Sequence, residues 1–259
     1  MAWTDLGAQF CYVLGFGVLF ALAFVPPAPV GKPFYRLMGG TAALSLAGGV
    51  LLQAVAGPFD WFEGSVVMGA IATLGALSCM RQALGPSWWA GLALGLVLSS
   101  WATAETLDRC LGLAPDALST VTALATGAVA GAVGLAMVLG HWYLTVPKLD
   151  VRHLVRLNKV CMACMLASLA LVAATCFLNR DLIEAAEARP LFGPWGMFFL
   201  GTRLVAGLGL PLLFAWMARG SLLLGNTRSA TGILYASTVL VLIGTAISIS
   251  LQDTYGIPL

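Results

Sequence analysis

The residue types able to do chemistry in this chain are few, and most of them are gathered in one place. Both histidines, His141 and His153, fall within the stretch Gly140–Lys159 (GHWYLTVPKLDVRHLVRLNK), together with Lys148, Arg152, Arg156 and Lys159. One further cation, Arg203, stands alone in an apolar run. A histidine near a membrane surface can exchange a proton close to neutral pH and hydrogen-bond a carbonyl group. A cation inside an apolar segment is costly enough to need a partner, a ligand or a route to water. Other chemistries lack their residues: the chain has no HExxH, no glycine-rich phosphate loop, no GxSxG, and no acid within its apolar runs.

The elements that must position these residues are set by composition. At 60% hydrophobic and 9% charged residues, the polar surface is too small to cover a water-soluble globule. The reading is an all-α integral membrane protein forming a single polytopic domain over 1–259. A spanning helix takes about 20 mostly apolar residues, and eight such segments are expected, over 8–29, 35–56, 64–84, 87–104, 119–146, 151–178, 193–219 and 228–251. Alternating apolar and polar residues, as in a barrel, are absent.

Orientation follows from the loops, because Lys and Arg concentrate on the cytoplasmic side. Lys32, Arg36, Arg81, Lys148, Arg152, Arg156, Lys159, Arg219 and Arg228 fall in alternate connections, whereas Asp60, Glu63, Glu105, Asp108, Asp116, Asp181, Glu184, Glu187 and Asp253 fall in the others, with Arg109, Arg180 and Arg189 as their basic company. Both termini are therefore expected outside, on the periplasmic side of a bacterial inner membrane. The first run follows MAWTDLGAQ, which lacks the positive start of a signal peptide, so it is read as a spanning helix. The net charge of +2 reflects this topology, and no nucleic-acid partner is implied.

Within helix five, Gly127, Gly131, Gly134, Val138, His141 and Thr145 form one stripe, which suits close packing of another helix or of a flat ligand. By depth, the neighbours expected for His141 are Asn158, Lys159 and Tyr235, with Trp142 and Tyr143 available to wall a ring. A haem b held by His141 and His153 is disfavoured, because His153 lies between Arg152 and Arg156; two histidines also cannot supply the four axial ligands of a two-haem cytochrome. Lys148, Arg152, His153 and Arg156 are read as a docking face for anionic lipid or for a peripheral subunit. Arg203 is expected in the outer half of helix seven, snorkelling outward or paired with Glu105 or Gln53. It should lie roughly 15 Å in depth from His141, giving two separate polar layers.

Other features read as structural. Cys161 and Cys164 form a CxxC one helical turn apart with no further ligand, which suits packing. Trp61, Phe62, Trp88, Trp89, Trp142, Tyr143 and Trp195 are expected as interfacial anchors. Pro211 should kink helix seven or free a carbonyl, and helix eight, rich in Ser and Thr, should face protein.

The function these residues suggest is that of a membrane subunit in a respiratory or electron-transfer complex, contacting a quinone or, less favoured, a haem near the cytoplasmic side, with membrane lipid and other subunits as partners. Alternatives are a small-solute or lipid transporter, disfavoured by the missing intramembrane acid, and a non-catalytic scaffold or assembly factor. By helix number and placement of the termini, the chain resembles some membrane anchors of bacterial molybdenum-enzyme complexes; this resemblance is topological and implies no residue roles.

Overall fold

A computed structural model describes residues 3–25, 30–55, 64–81, 86–111, 117–146, 149–180, 191–256 and 259. Eight long helices account for nearly all of them, and no strand occurs among the described residues. They are α1 (Trp3–Leu22), α2 (Lys32–Val55), α3 (Gly64–Arg81), α4 (Pro86–Leu111), α5 (Ala117–Thr145), α6 (Arg152–Leu178), α7 (Pro194–Leu223) and α8 (Thr227–Tyr255). Seven are long and apolar enough to cross a membrane, while the apolar part of the other, Gly64–Met80, is shorter. Apolar side chains also cover much of the outside, Leu44, Phe177 and Trp195 among them. A surface of that kind is compatible with a multi-pass membrane protein and unsuited to water.

The helices form two rings of four. In the first, α1 packs on α2, α2 on α3, α3 on α4, and α4 back on α1; α5–α8 close in the same cyclic order. The rings meet along α1 and α5, with lesser contacts between α1 and α8 and between α4 and α5. Exchanging the two halves leaves this set of pairings unchanged. Since each half contains an even number of helices, both start from the same end of the bundle, so the halves run parallel rather than inverted. We call the end holding Trp3 and Tyr255 the terminal end and the opposite one the basic end.

Contact between the rings depends on glycine. A methyl group on Gly131 would lie 1.9 Å from the carbonyl carbon of Gly17, and one on Gly127 would lie 2.2 Å from the carbonyl oxygen of Val13. Two of the three stripe glycines of α5 are thus filled by the backbone of α1, not by a ligand, whereas nothing lies within 4 Å of a methyl group placed on Gly134. This contact makes α5 the central helix. Of its most apolar stretch 67% is buried, against 28% in α6 and in α7.

Several expectations are adjusted by the structure. Helix α1 stops at Leu22, seven residues before the expected limit of 29, and α4 and α8 extend beyond theirs, to Leu111 and Tyr255. Trp88 is a core residue rather than an interfacial anchor: it is 1% exposed and packs edge-on against Tyr35, with ring centroids 5.8 Å apart. Trp89 and Trp195 are exposed, as anchors should be. Trp61 and Phe62 lie outside the described residues. In α8, Thr231, Ser237, Thr238, Thr245 and Ser248 are buried, so its hydroxyl-rich face does meet protein. Asn226 caps this helix by accepting from the Ser229 N–H, and Gly225, at φ 72°, makes the left-handed turn before it.

Replacing Gly131 by Val should separate α1 from α5 and destabilise the protein by about 1–3 kcal/mol or more, as overpacking does. Gly134→Ala, with open space around it, should be neutral or slightly stabilising through helix propensity. Thermal unfolding of the two variants in detergent checks the contrast.

Candidate functional site

Two polar layers exist, at different depths. At the basic end, His141 stands one turn before the end of α5, and its Nδ1 lies 3.3 Å from the Tyr235 hydroxyl of α8, the rings being edge-on. Both side chains are on the outside of the bundle, Tyr235 being 44% exposed. Of the three expected neighbours of His141, Tyr235 is the one hydrogen-bonded to it. The Nδ2 of Asn158 donates to the Ala215 carbonyl at 2.8 Å and so ties α6 to α7, while Lys159 is exposed on α6.

The aromatic neighbours of His141 are committed elsewhere. The Nε1 of Trp142 donates to the Val30 carbonyl at 3.1 Å, and its ring packs on Phe34, so it clamps α5 to the α1–α2 connection. The Tyr143 hydroxyl donates to the Asp150 carbonyl, closing the α5–α6 turn. In that turn the Asp150 carboxylate accepts from Arg152 Nε at 2.6 Å and from the Arg152 backbone N–H at 2.9 Å. These bonds hold the Asp150 carboxyl below the usual carboxylate range. Arg152, Arg156 and Lys159 are exposed and His153 is half-buried; Lys148 lies outside the described residues.

Towards the terminal end, each ring encloses its own polar group. In the first, Gln53 of α2 is 4% exposed and reaches the other three helices. Its Oε1 accepts from the Tyr12 hydroxyl of α1 at 2.6 Å, and its Nε2 donates to Ser65 Oγ of α3 at 3.0 Å and to Thr106 Oγ1 of α4 at 3.4 Å. Every side-chain nitrogen and oxygen of this knot has a partner.

In the second ring the corresponding interior holds Arg203, which is completely buried. Its Nη2 donates to Thr126 Oγ1 of α5 at 2.9 Å and to Ser168 Oγ of α6 at 3.2 Å. The fourth helix touches it through glycine: a methyl group on Gly244 of α8 would lie 3.4 Å from Arg203 Nη1. Arg203 Nε and Nη1 have no hydrogen-bond partner, and no carboxylate lies within ion-pair distance among the described residues. The expected partners are occupied: Gln53 closes the other ring, and Glu105 accepts from Trp101 Nε1 at 2.9 Å. Outward snorkelling does not occur either, because the side chain turns into its ring.

The magnitudes explain why this arrangement is unfinished. A charge at mid-span costs about 2.5–3.5 kcal/mol on insertion scales. A hydrogen bond to a charged group returns about 1.5–3 kcal/mol, so two hydroxyls can offset insertion of the cation. They leave the remaining buried N–H groups desolvated and unmatched.

Local backbone geometry brings this about. One residue beyond Arg203, Val205–Gly209 form a π-helical turn in which the Leu210 N–H bonds the Val205 carbonyl. Pro211 has no N–H to give to the Gly207 carbonyl, and its ring would collide with that carbonyl in a regular helix. The widened turn relieves the collision. It also sets Gly207 against α8, where a methyl group would lie 2.7 Å from Gly244 Cα.

A small pocket opens beside Thr126, between α1, α5 and α8, with Gln9, Ser248 and Gln252 as its other polar walls. Gln9 and Gln252 are buried and hydrogen-bond each other reciprocally, the Gln252 Nε2 donating to Gln9 Oε1 at 3.0 Å. This amide pair joins the two rings at the terminal end, as Trp142 joins them at the basic end. Sequence reasoning passed over Thr126, Ser168, Gln9 and Gln252. Counting depth from the terminal end would have placed Thr126 and Ser168 level with Arg203, each about nine or ten residues in.

The Arg203 and His141 layers are well separated, since Thr126 and His141 are about 22 Å apart along α5. Cys161 is buried and Cys164 partly so, and both thiols are free. The fold therefore defines a class, an all-helical chain with the apolar helices of a multi-pass membrane protein. No family model, no curated protein and no solved structure matches it.

Tyr12→Phe should leave Gln53 Oε1 without its closest donor and cost about 1–3 kcal/mol in unfolding free energy, measurable by thermal or denaturant unfolding. At Asp150 the carboxyl is depressed, so its contact with Arg152 is fully present above the ordinary value near pH 4. The contact is lost as pH falls through the lowered value. Hydrogen exchange in the α5–α6 turn should accelerate on that acid limb, and Asp150→Asn should abolish the change.

Proposed function

We propose that the protein is an integral membrane subunit of a multi-subunit respiratory or electron-transfer complex in a bacterial inner membrane, and that it contacts a quinone head group at His141 and Tyr235. The supporting observation is the hydrogen-bonded His141–Tyr235 pair on the outside of the bundle, close to the basic end. An imidazole and a phenol in contact can donate to a quinone carbonyl and hold or pass one proton. Because both rings are exposed, a flat head group can reach them from the lipid without displacing a helix.

On this reading Trp142 and Tyr143 are structural clamps and do not wall the quinone ring. The exposed Arg152, Arg156 and Lys159 suit lipid phosphates or an acidic peripheral subunit. By the distribution of positive charge the basic end is cytoplasmic and both termini are periplasmic.

The test is purification in mild detergent, followed by lipid extraction for quinone and a reduced-minus-oxidised visible spectrum on the same sample. Stoichiometric quinone and a copurifying redox partner are expected, with His141→Ala and Tyr235→Phe each lowering bound quinone about tenfold, the equivalent of one hydrogen bond. A haem band lost in His141→Ala or His153→Ala would replace quinone by haem b. A colourless, quinone-free preparation without redox partners would overturn the proposal; solute uptake by proteoliposomes would then favour a transporter, and failed assembly of a larger complex a scaffold.

A further inference from the structure

We propose that the interior of the α5–α8 ring is a binding site for a small inorganic anion of halide size, held by Arg203 with Ser168 and with Thr126 at the mouth. The starting point is a contrast between the halves. The first ring fills its centre with Gln53, and all polar side-chain atoms there are matched by Tyr12, Ser65 and Thr106. The second fills the same kind of space with a full positive charge. Only Nη2 of that guanidinium is partnered, by neutral hydroxyls, while Nε and Nη1 are buried and unmatched.

A buried cation without a carboxylate is balanced when an anion joins it. The hydroxyls are suited to that role. Thr126 gives its own hydrogen to the Thr122 carbonyl at 3.1 Å, which leaves its oxygen to orient the guanidinium. Ser168 accepts from Arg203, and its hydroxyl hydrogen can turn to an anion.

Space fixes the class of ligand. The Gly207–Gly244 contact closes the α7–α8 side of Arg203, and the pocket reaching Thr126 is about the size of one water molecule. Arg203 and Ser168 do not line that pocket, so the ligand enters only as α8 gives way; a monatomic halide needs the least displacement, whereas a carboxylated solute, a lipid head group or a quinone needs far more. Gln9 and Gln252 close the pocket towards the terminal end, each donating its Nε2 to the other's Oε1. The site shares no residue with the His141–Tyr235 pair, so the quinone experiment neither supports nor removes it.

The experiment compares thermal unfolding of the detergent-solubilised full chain in sodium chloride, sodium bromide and sodium gluconate at equal ionic strength. Chloride and bromide should raise the melting temperature saturably over gluconate, and bromide-grown crystals should show anomalous density within hydrogen-bond reach of Arg203. Ser168→Ala should weaken the halide midpoint about tenfold, and Arg203→Gln should abolish the halide effect. Equal melting in chloride and gluconate would overturn the proposal, as would a halide effect that survives in a folded Arg203→Gln variant. Should Arg203→Gln not fold, Ser168→Ala decides, and an unchanged halide midpoint in it is the overturning result.

Discussion

A polar group enclosed by hydrocarbon must find its partners within reach, because neither lipid tails nor apolar side chains can supply them. That constraint organises the half of this bundle nearer the terminal end. Among the buried polar groups there are the Gln53 knot in the first ring, the Gln9–Gln252 pair between the rings, and Arg203 and the Thr122–Thr175 contact in the second. Each joins helices that apolar contact alone would leave free to slide, since close-packed side chains of similar size allow more than one register. The knots fix the register by requiring particular donors to face particular acceptors.

Backbone contact and polar contact divide the remaining work. Glycines at 17, 127 and 131 let α1 and α5 meet at main-chain distance, which maximises van der Waals contact between the two helices. Gly207 and Gly244 do the same for α7 and α8 beside Arg203. The second approach depends on the π turn that Pro211 imposes. A proline two residues beyond that turn therefore shapes the surroundings of a guanidinium two turns earlier in the same helix.

Much of this was legible in the sequence. Long apolar runs and proline-bearing connections disclosed eight helices, and the alternation of basic and acidic connections placed Trp3 and Tyr255 at the same end. The split into two equivalent rings was not legible, because it resides in which helices touch, and unrelated apolar sequences satisfy the same contacts. At the sites, depth counting identified Tyr235 as a neighbour of His141 but could not exclude Asn158 or Lys159, which share its depth and differ in azimuth. For Arg203 the residue types that the sequence brings forward as partners are an acid, Glu105, and an amide, Gln53. Thr126 and Ser168 escaped notice because a hydroxyl inside a helix ordinarily bonds its own backbone, and nothing in a single sequence distinguishes one that also faces a cation.

The two layers share their supporting elements although about 22 Å separates them. Thr126 and His141 are both on α5, and Gly244 and Tyr235 are both on α8. The α5–α8 pair thus forms one wall of the Arg203 ring at one level and carries the His141–Tyr235 contact at the other. A shift of α8 relative to α5 that admitted an anion beside Gly244 would alter the 3.3 Å contact as well, because a helix moves as a stiff rod over this length. The reverse holds equally: a ligand that drew Tyr235 away from His141 would pull on the glycine contact behind Arg203. Coupling requires that the two ligands favour different positions of α8. The side of the bundle where such movement meets least resistance is that of α6 and α7, whose apolar stretches are the least buried.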